Sequence, residues 1–274
     1  MKYNLKFLLQ VGNIIAVFLT IIVNALANIL PINNKLTGDI SDSIPNLFVP
    51  AGITFSIWGV IYILLIVFAF YQARDLFSKN KIEMPFINKI SFYLIIASIA
   101  NIAWIFLWHY EQIALSLIPM IILFISLLLI YFRLNIGKVT AHIKEELFVH
   151  VPFSVYIGWI TVATIANVTA VLVTIGWDGF GICEYFWTIL VLIVASFITI
   201  LILVLRFDVA YSLVIIWAFL GIVIKRINPD VRYGVQNEIA TVAFILIIAI
   251  AITILINYIR RKSIIKKEKM EIKD

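Results

Sequence analysis

Charge is scarce in this sequence: only 13% of its 274 residues are Asp, Glu, Lys or Arg. A water-soluble domain needs more polar surface than that to cover its core. Cysteine is nearly absent, and a single one, Cys183, excludes any disulfide within the chain. Seven prolines and eleven glycines are too few for a collagen-like or Pro-rich class. No Walker A loop, G-x-S-x-G or H-E-x-x-H pattern occurs. The apolar stretches carry no ionisable residue near their centres, since Glu111, Glu184, Asp208 and Glu238 fall at their ends. Ion-coupled pumps need carboxylates or unwound polar segments near the midplane, so that class is disfavoured. The same absence disfavours acid–base and nucleophilic catalysis within the membrane. The chain therefore reads as a non-enzyme, and no cofactor is expected.

What the sequence has instead is apolar length. It is 64% hydrophobic with a mean hydropathy of +1.10. Runs of about 17 to 25 apolar residues read as spanning helices. Eight such runs are present: Phe7–Leu30, Ile53–Gln72, Ile90–His109, Ile113–Phe132, Pro152–Thr174, Phe186–Leu205, Val209–Ile224 and Ile239–Ile259. The seventh is short, and Arg206-Phe207-Asp208 barely separates it from the sixth. The two form either a tight hairpin or one broken element, so seven spans is the alternative count.

With eight spans and a cytoplasmic N-terminus, 17 of the 21 basic residues fall on the cytoplasmic side. Only Lys35, Lys225, Arg226 and Arg232 fall outside. This bias sets the expected orientation: a cell-membrane, multi-pass protein with both termini cytoplasmic. On that topology His109 lies at the outer end, while His142 and His150 lie on the inner side. A two-histidine zinc or haem-iron site is excluded, and no metal is expected. The net charge of +6 sits beside apolar runs rather than among base-stacking aromatics on a soluble module, which excludes nucleic acid as a partner.

The first run admits a second reading as a cleaved signal peptide, with Lys2 and Lys6 as the basic region and Ala25-Leu26-Ala27 as the cleavage site. Its length and a polar stripe weigh against that. Gln10, Asn13, Thr20, Asn24 and Asn28 fall on one arc of a helix, and amide groups of this kind should face other helices rather than lipid. Between the first two runs, Pro31–Pro50 is polar and turn-rich, long enough to fold over the bundle.

Three segments stand out. The second span opens Pro50-Ala51-Gly52 and continues through Trp58-Gly59-Val60-Ile61-Tyr62. The third contains Asn101-Ile102-Ala103-Trp104. The fifth carries Pro152-Phe153, then Trp159-Ile160-Thr161-Val162-Ala163-Thr164-Ile165-Ala166-Asn167. At helical spacing Tyr156, Trp159, Ala163, Asn167, Ala170 and Thr174 share one face, as do Ala97, Asn101, Trp104 and Trp108. Facing helices of this composition line an apolar pocket with a few polar points. The competing reading is helix packing: small residues let helices approach, and buried Asn bonds between them. Trp108, Trp177 and Trp187 also suit interfacial anchors.

In their order and host helices the three segments resemble the TspO family, the tryptophan-rich sensory and translocator proteins. The resemblance covers residues 1–175. Three departures accompany it. Pro152 lies three residues further from Trp159 than in the family pattern, Phe153 replaces the usual tyrosine, and the Trp-Tyr and Lys-Pro of the family's first loop are missing from Pro31–Pro50. Residues 176–274 have no counterpart in the resemblance. The expected fold is an all-α membrane protein. It comprises a TspO-like five-helix transmembrane bundle (1–175), a three-helix extension (176–259) and a basic cytoplasmic tail (260–274).

The resemblance implies a non-catalytic receptor or sensor holding a tetrapyrrole such as a porphyrin, or a sterol-like hydrophobic ligand. The cavity lies within the bundle, with Trp58, Tyr62, Asn101, Trp104, Trp159, Ala163, Asn167 and Asn24 as ligand-binding residues. The alternative is a passive transporter or flippase of hydrophobic small molecules. Membrane lipid is the expected surrounding partner, and a homodimer is left open.

Overall fold

A computed structural model describes residues 2–139, 141–228 and 234–271, and helix is the only extended regular structure among them. In chain order the elements are α1 (Lys2–Ile29), α2 (Thr37–Ser43), α3 (Ile57–Ala73), α4 (Pro85–Ile90), α5 (Tyr93–His109), α6 (Ile113–Leu134), α7 (Ile143–Glu145), α8 (Val151–Thr174), α9 (Glu184–Arg206), α10 (Val209–Ile227) and α11 (Asn237–Glu271). Seven of them, α1, α3, α6, α8, α9, α10 and α11, belong to segments long and apolar enough to cross a membrane. The eighth apolar helix, α5, has 17 residues and reaches about 26 Å at 1.5 Å per residue. Each of the eight expected runs becomes one of these helices. The protein is a multi-pass all-α membrane protein.

The start of the third run differs from the expectation. Ile90 belongs to α4, and Ser91 at φ 52° breaks the chain before α5 begins. The sixth and seventh runs form a hairpin rather than one broken helix. Phe207 turns the chain in the left-handed region, and Asp208 caps α10 by accepting from the Tyr211 N–H at 3.1 Å. Pro152 opens α8 after a π-turn, Glu146–His150. A wider turn absorbs the donor that proline lacks.

Polar groups explain how α1 docks. Gln10 Nε2 donates to Gln72 O at 2.5 Å and to Asp75 Oδ1 at 2.8 Å. Asn13 Nδ2 donates to Gln72 Oε1 at 3.1 Å, and Asn24 Nδ2 to Asn101 Oδ1 at 2.7 Å. The stripe thus faces α3 and α5, as amides in hydrocarbon must; Asn28, at its end, is exposed.

The helices pack α1 against α3 and α5, α5 against α6, and α6 against α8. The last three helices pack on one another, and α10 also lies along α8. Gly158 permits that approach: a Cβ there would sit 3.1 Å from Val214 Cβ and 3.3 Å from Tyr211 O.

Contacts also sort the basic residues by end. Lys6 meets Asp75, Arg133 bonds Lys89 O, and Arg206 bonds Ile136 O at one end. Lys35 pairs with Glu111, and Lys225 with Asp42, at the other. Arg232 and Lys273, counted in the charge asymmetry, lie outside the described residues; the tail from Arg260 continues α11 as far as Glu271.

Candidate functional site

The site forms where Pro31–Pro50 folds back over α5 and α8. Its short helix α2 lies against α5, and a turn follows in which Asn46 Oδ1 accepts from the Phe48 and Val49 N–H groups at 3.1 and 3.0 Å. An aromatic hydrogen bond ties this lid down: Trp108 Nε1 donates to Thr37 O at 3.2 Å. His109, fully buried, holds Ile105 O through Nδ1 and faces Thr37 Oγ1 through Nε2 at 3.4 Å. Asn33 adds a bond to His109 O at 3.1 Å.

Beneath the lid is an apolar cavity. Its walls are Phe55 and Trp58 from the start of the second span, Trp104 and Trp108 from α5, and Trp159, Ala163, Ala166, Asn167 and Ala170 from α8; Thr37, Ser41, Asn46, Val49 and Pro50 close it. The gap between these walls comes to about 570 Å³ when the open space at its mouth is counted. The enclosed part has room for only a few water molecules, far less than a ring-sized molecule occupies.

The aromatic walls hold one another in place. Trp104 and Trp108 stack at 5.5 Å with 24° between planes. Trp159 meets Trp58 edge-on at 6.2 Å and Phe55 at 5.9 Å. Polar groups are few, and most are committed to the protein. Trp104 Nε1 donates to Asn167 Oδ1 at 3.0 Å, and Asn167 Nδ2 donates to Ser116 Oγ at 3.1 Å. Trp159 differs: the residue is 2% exposed, yet its indole N–H has no hydrogen-bond partner among the described residues. A buried donor left unmade costs about 1–3 kcal/mol, a cost that an acceptor within reach of this N–H would recover.

Of the residues expected from sequence, Trp58, Trp104, Trp159, Ala163 and Asn167 come together on the wall. Tyr62 stands behind it, stacked on Trp58 at 5.7 Å. Asn101 and Asn24 are away from it as well. Asn101 accepts from Asn24 and donates to Tyr156 OH at 3.3 Å, because the amide stripe of α1 engages it. Phe55 and the lid residues Thr37, Ser41 and Asn46 line the cavity without having been singled out from sequence, and Trp108, which shares the expected pocket face but also suits an interfacial anchor, lines it too. Trp108 shares a face with Trp104 four residues earlier, which was the available signal. Among the described residues no cluster of His, Cys, Asp and Glu could hold a metal.

Comparison with the curated proteins and with the solved structures gives no match. A family model described as TSPO-like protein matches residues 10–256. That match runs well past residue 175, where the motif resemblance stops, and takes in most of the last three helices. The chain belongs to the TSPO-like protein family.

Proposed function

We propose that the protein is a non-catalytic membrane receptor that binds a hydrophobic ligand, tetrapyrrole- or sterol-like, under the Pro31–Pro50 lid. The observation that carries this reading is a largely apolar, aromatic cavity whose wall includes Trp159, a buried tryptophan with an unpartnered N–H. Such a site suits a flat or flexible apolar body bearing one hydrogen-bond acceptor, with stacking surface from Trp58 and Trp159. Binding is favoured over passage by what lies beyond Trp159: Tyr156, Asn101 and Phe153 are buried and close-packed there. In this reading both termini are cytoplasmic, with the lid on the outer face, and the Trp159 N–H replaces the ligand acceptor's lost hydration.

The test is titration of detergent-purified protein with protoporphyrin IX, following tryptophan fluorescence. Saturable quenching is expected, with affinity reduced severalfold in Trp159→Phe, which keeps the ring and removes the N–H. Equal affinity in both proteins would remove Trp159 from the site. Flux of the porphyrin across liposomes containing the protein would favour a passive transporter instead.

A further inference from the structure

The lid and the start of the second span are held from two sides. One side is α5, through Trp108 and His109. The other is α10, a helix that contributes nothing to the cavity wall itself. Three contacts make this second attachment. The Ala51 N–H donates to Gly221 O at 2.9 Å. Trp217 Nε1 donates to Thr54 O at 2.9 Å. Lys225 pairs with Asp42 of the lid helix. The approach is close enough to require glycine: a Cβ on Gly221 would overlap Thr54 Oγ1 and lie 2.9 Å from Pro50 Cβ. The segment so gripped, from Asp42 to Thr54, contains Asn46, Val49 and Pro50 of the cavity wall and leads directly into Phe55 and Trp58.

We propose that α10 positions the lid and the wall of the cavity, so that the last three helices set how readily the cavity opens. The inference rests on the cavity reading above. Gly221 and Trp217 act through Pro50–Thr54, and Lys225 acts through Asp42; none of the three need touch ligand. The narrow enclosed space requires the lid to move before a large ligand enters. Movement of Asp42–Thr54 means parting these α10 contacts. Anything that shifts α10 relative to α8 would then reach the cavity. The weakest of the three contacts is Lys225–Asp42, where the Asp42 side chain is 56% exposed; such pairs contribute little alone and are screened by salt. The backbone bond and the glycine approach are sheltered from both.

Lid opening can be read without any ligand. In a Cys183→Ser background, Ser41→Cys places a thiol in the buried lid, and Ser43→Cys serves as an exposed control. The rate of labelling by a small hydrophilic maleimide reports opening. Gly221→Ala should label Ser41→Cys about tenfold faster, the change that follows from ~1.4 kcal/mol less closure, and leave Ser43→Cys unchanged. Trp217→Phe, which removes only the N–H donor, should do the same in smaller degree and decides the matter if Gly221→Ala fails to fold. Lys225→Glu should accelerate labelling at low salt, and adding Asp42→Lys should restore the parent rate, which a general loss of packing would not do. Unchanged labelling in folded Gly221→Ala, or in Trp217→Phe where the first variant does not fold, overturns the proposal. Protoporphyrin IX quenching in the parent is measured separately: its absence would sink the binding reading while the labelling result still judges the role of α10.

Discussion

Trp104 donates its indole N–H to the Asn167 side-chain oxygen at 3.0 Å, joining α5 to α8 along the cavity wall. Asn167 in turn reaches Ser116 on α6, so one amide ties three helices together. The residues that shape the cavity therefore also hold the bundle, and their substitution reports on both.

Asn167→Leu should lower stability by about 1–3 kcal/mol, because it strands a buried Trp104 N–H and loses the Ser116 bond between helices. Ser116→Ala, which leaves the Trp104 bond intact, should cost less. Thermal unfolding in detergent checks both, and an unchanged midpoint for Asn167→Leu would mean that the amide is not a structural tie.

Lys6 and Asp75 form a second tie, at the other end of the bundle. The Asp75 side chain is fully buried and accepts from Lys6 Nζ at 2.5 Å, Gln10 Nε2 at 2.8 Å and the Ile82 N–H at 2.8 Å. Burial by itself would raise its carboxyl pKa, but these hydrogen bonds and the Lys6 charge outweigh it and hold the carboxyl below its ordinary 3.8. A depressed carboxyl contributes stability that is complete above that ordinary value and is lost as pH falls through the lower folded value. The midpoint of unfolding should therefore drop as pH falls below 3.8, and Asp75→Asn should flatten that portion of the curve. Lys6→Met leaves the buried carboxylate uncompensated and should cost about 3–5 kcal/mol at neutral pH.

Much of this arrangement is legible in the sequence. Apolar length alone located all eight hydrophobic helices, because hydrocarbon forces every backbone group into helical pairing. The amide stripe of α1 announced which face would be buried. Periodicity gives the face but not the neighbour. Asn101 has the right depth and faces inward, yet α1 offers it Asn24 before any ligand can. Trp108 looked like an interfacial anchor because it lies near a helix end, and only the fold of Pro31–Pro50 over that end buries it. The grip of α10 on Pro50–Thr54 depends on a glycine, Gly221, whose closeness to a segment some 170 positions earlier leaves no local pattern.

Two glycines should respond oppositely to alanine. Gly59 lies within α3 on an exposed face, and a Cβ there meets nothing within 4 Å. Gly59→Ala should be neutral or stabilise by up to ~1 kcal/mol through reduced backbone entropy of the unfolded chain. Gly137 has φ +77°, and a Cβ there would collide with Arg206 O at the start of the α9–α10 turn. Gly137→Ala should cost more than about 2 kcal/mol, since strain and collision add. Equal midpoints for the two variants would contradict the close packing of Gly137 on that turn.

Asp208 supplies the last test, because its carboxyl is useful for its shape and costly for its charge. It is buried between α9 and α10, accepting from Ser154 Oγ at 2.5 Å and from the Tyr211 N–H at 3.1 Å. Burial pushes its pKa up; the hydrogen bonds from Ser154 and the Tyr211 N–H offset only part of that rise. A raised carboxyl binds its proton more readily when folded than when unfolded, so stability is gained as pH falls through the folded value toward the ordinary 3.8, opposite in sign to Asp75. Asp208→Asn keeps an oxygen for the Tyr211 N–H and an amide for Ser154, and removes the buried charge. It should leave stability at neutral pH within about 1 kcal/mol of the parent or above it, since burying an ionised group is what costs most. Asp208→Ala loses the helix cap and should destabilise by about 0.5–2 kcal/mol. Unfolding midpoints of the three proteins, followed from neutral pH down toward 3.8, decide: the parent should gain on Asp208→Asn as pH falls, and a constant gap over that whole range would show that Asp208 carries no raised pKa.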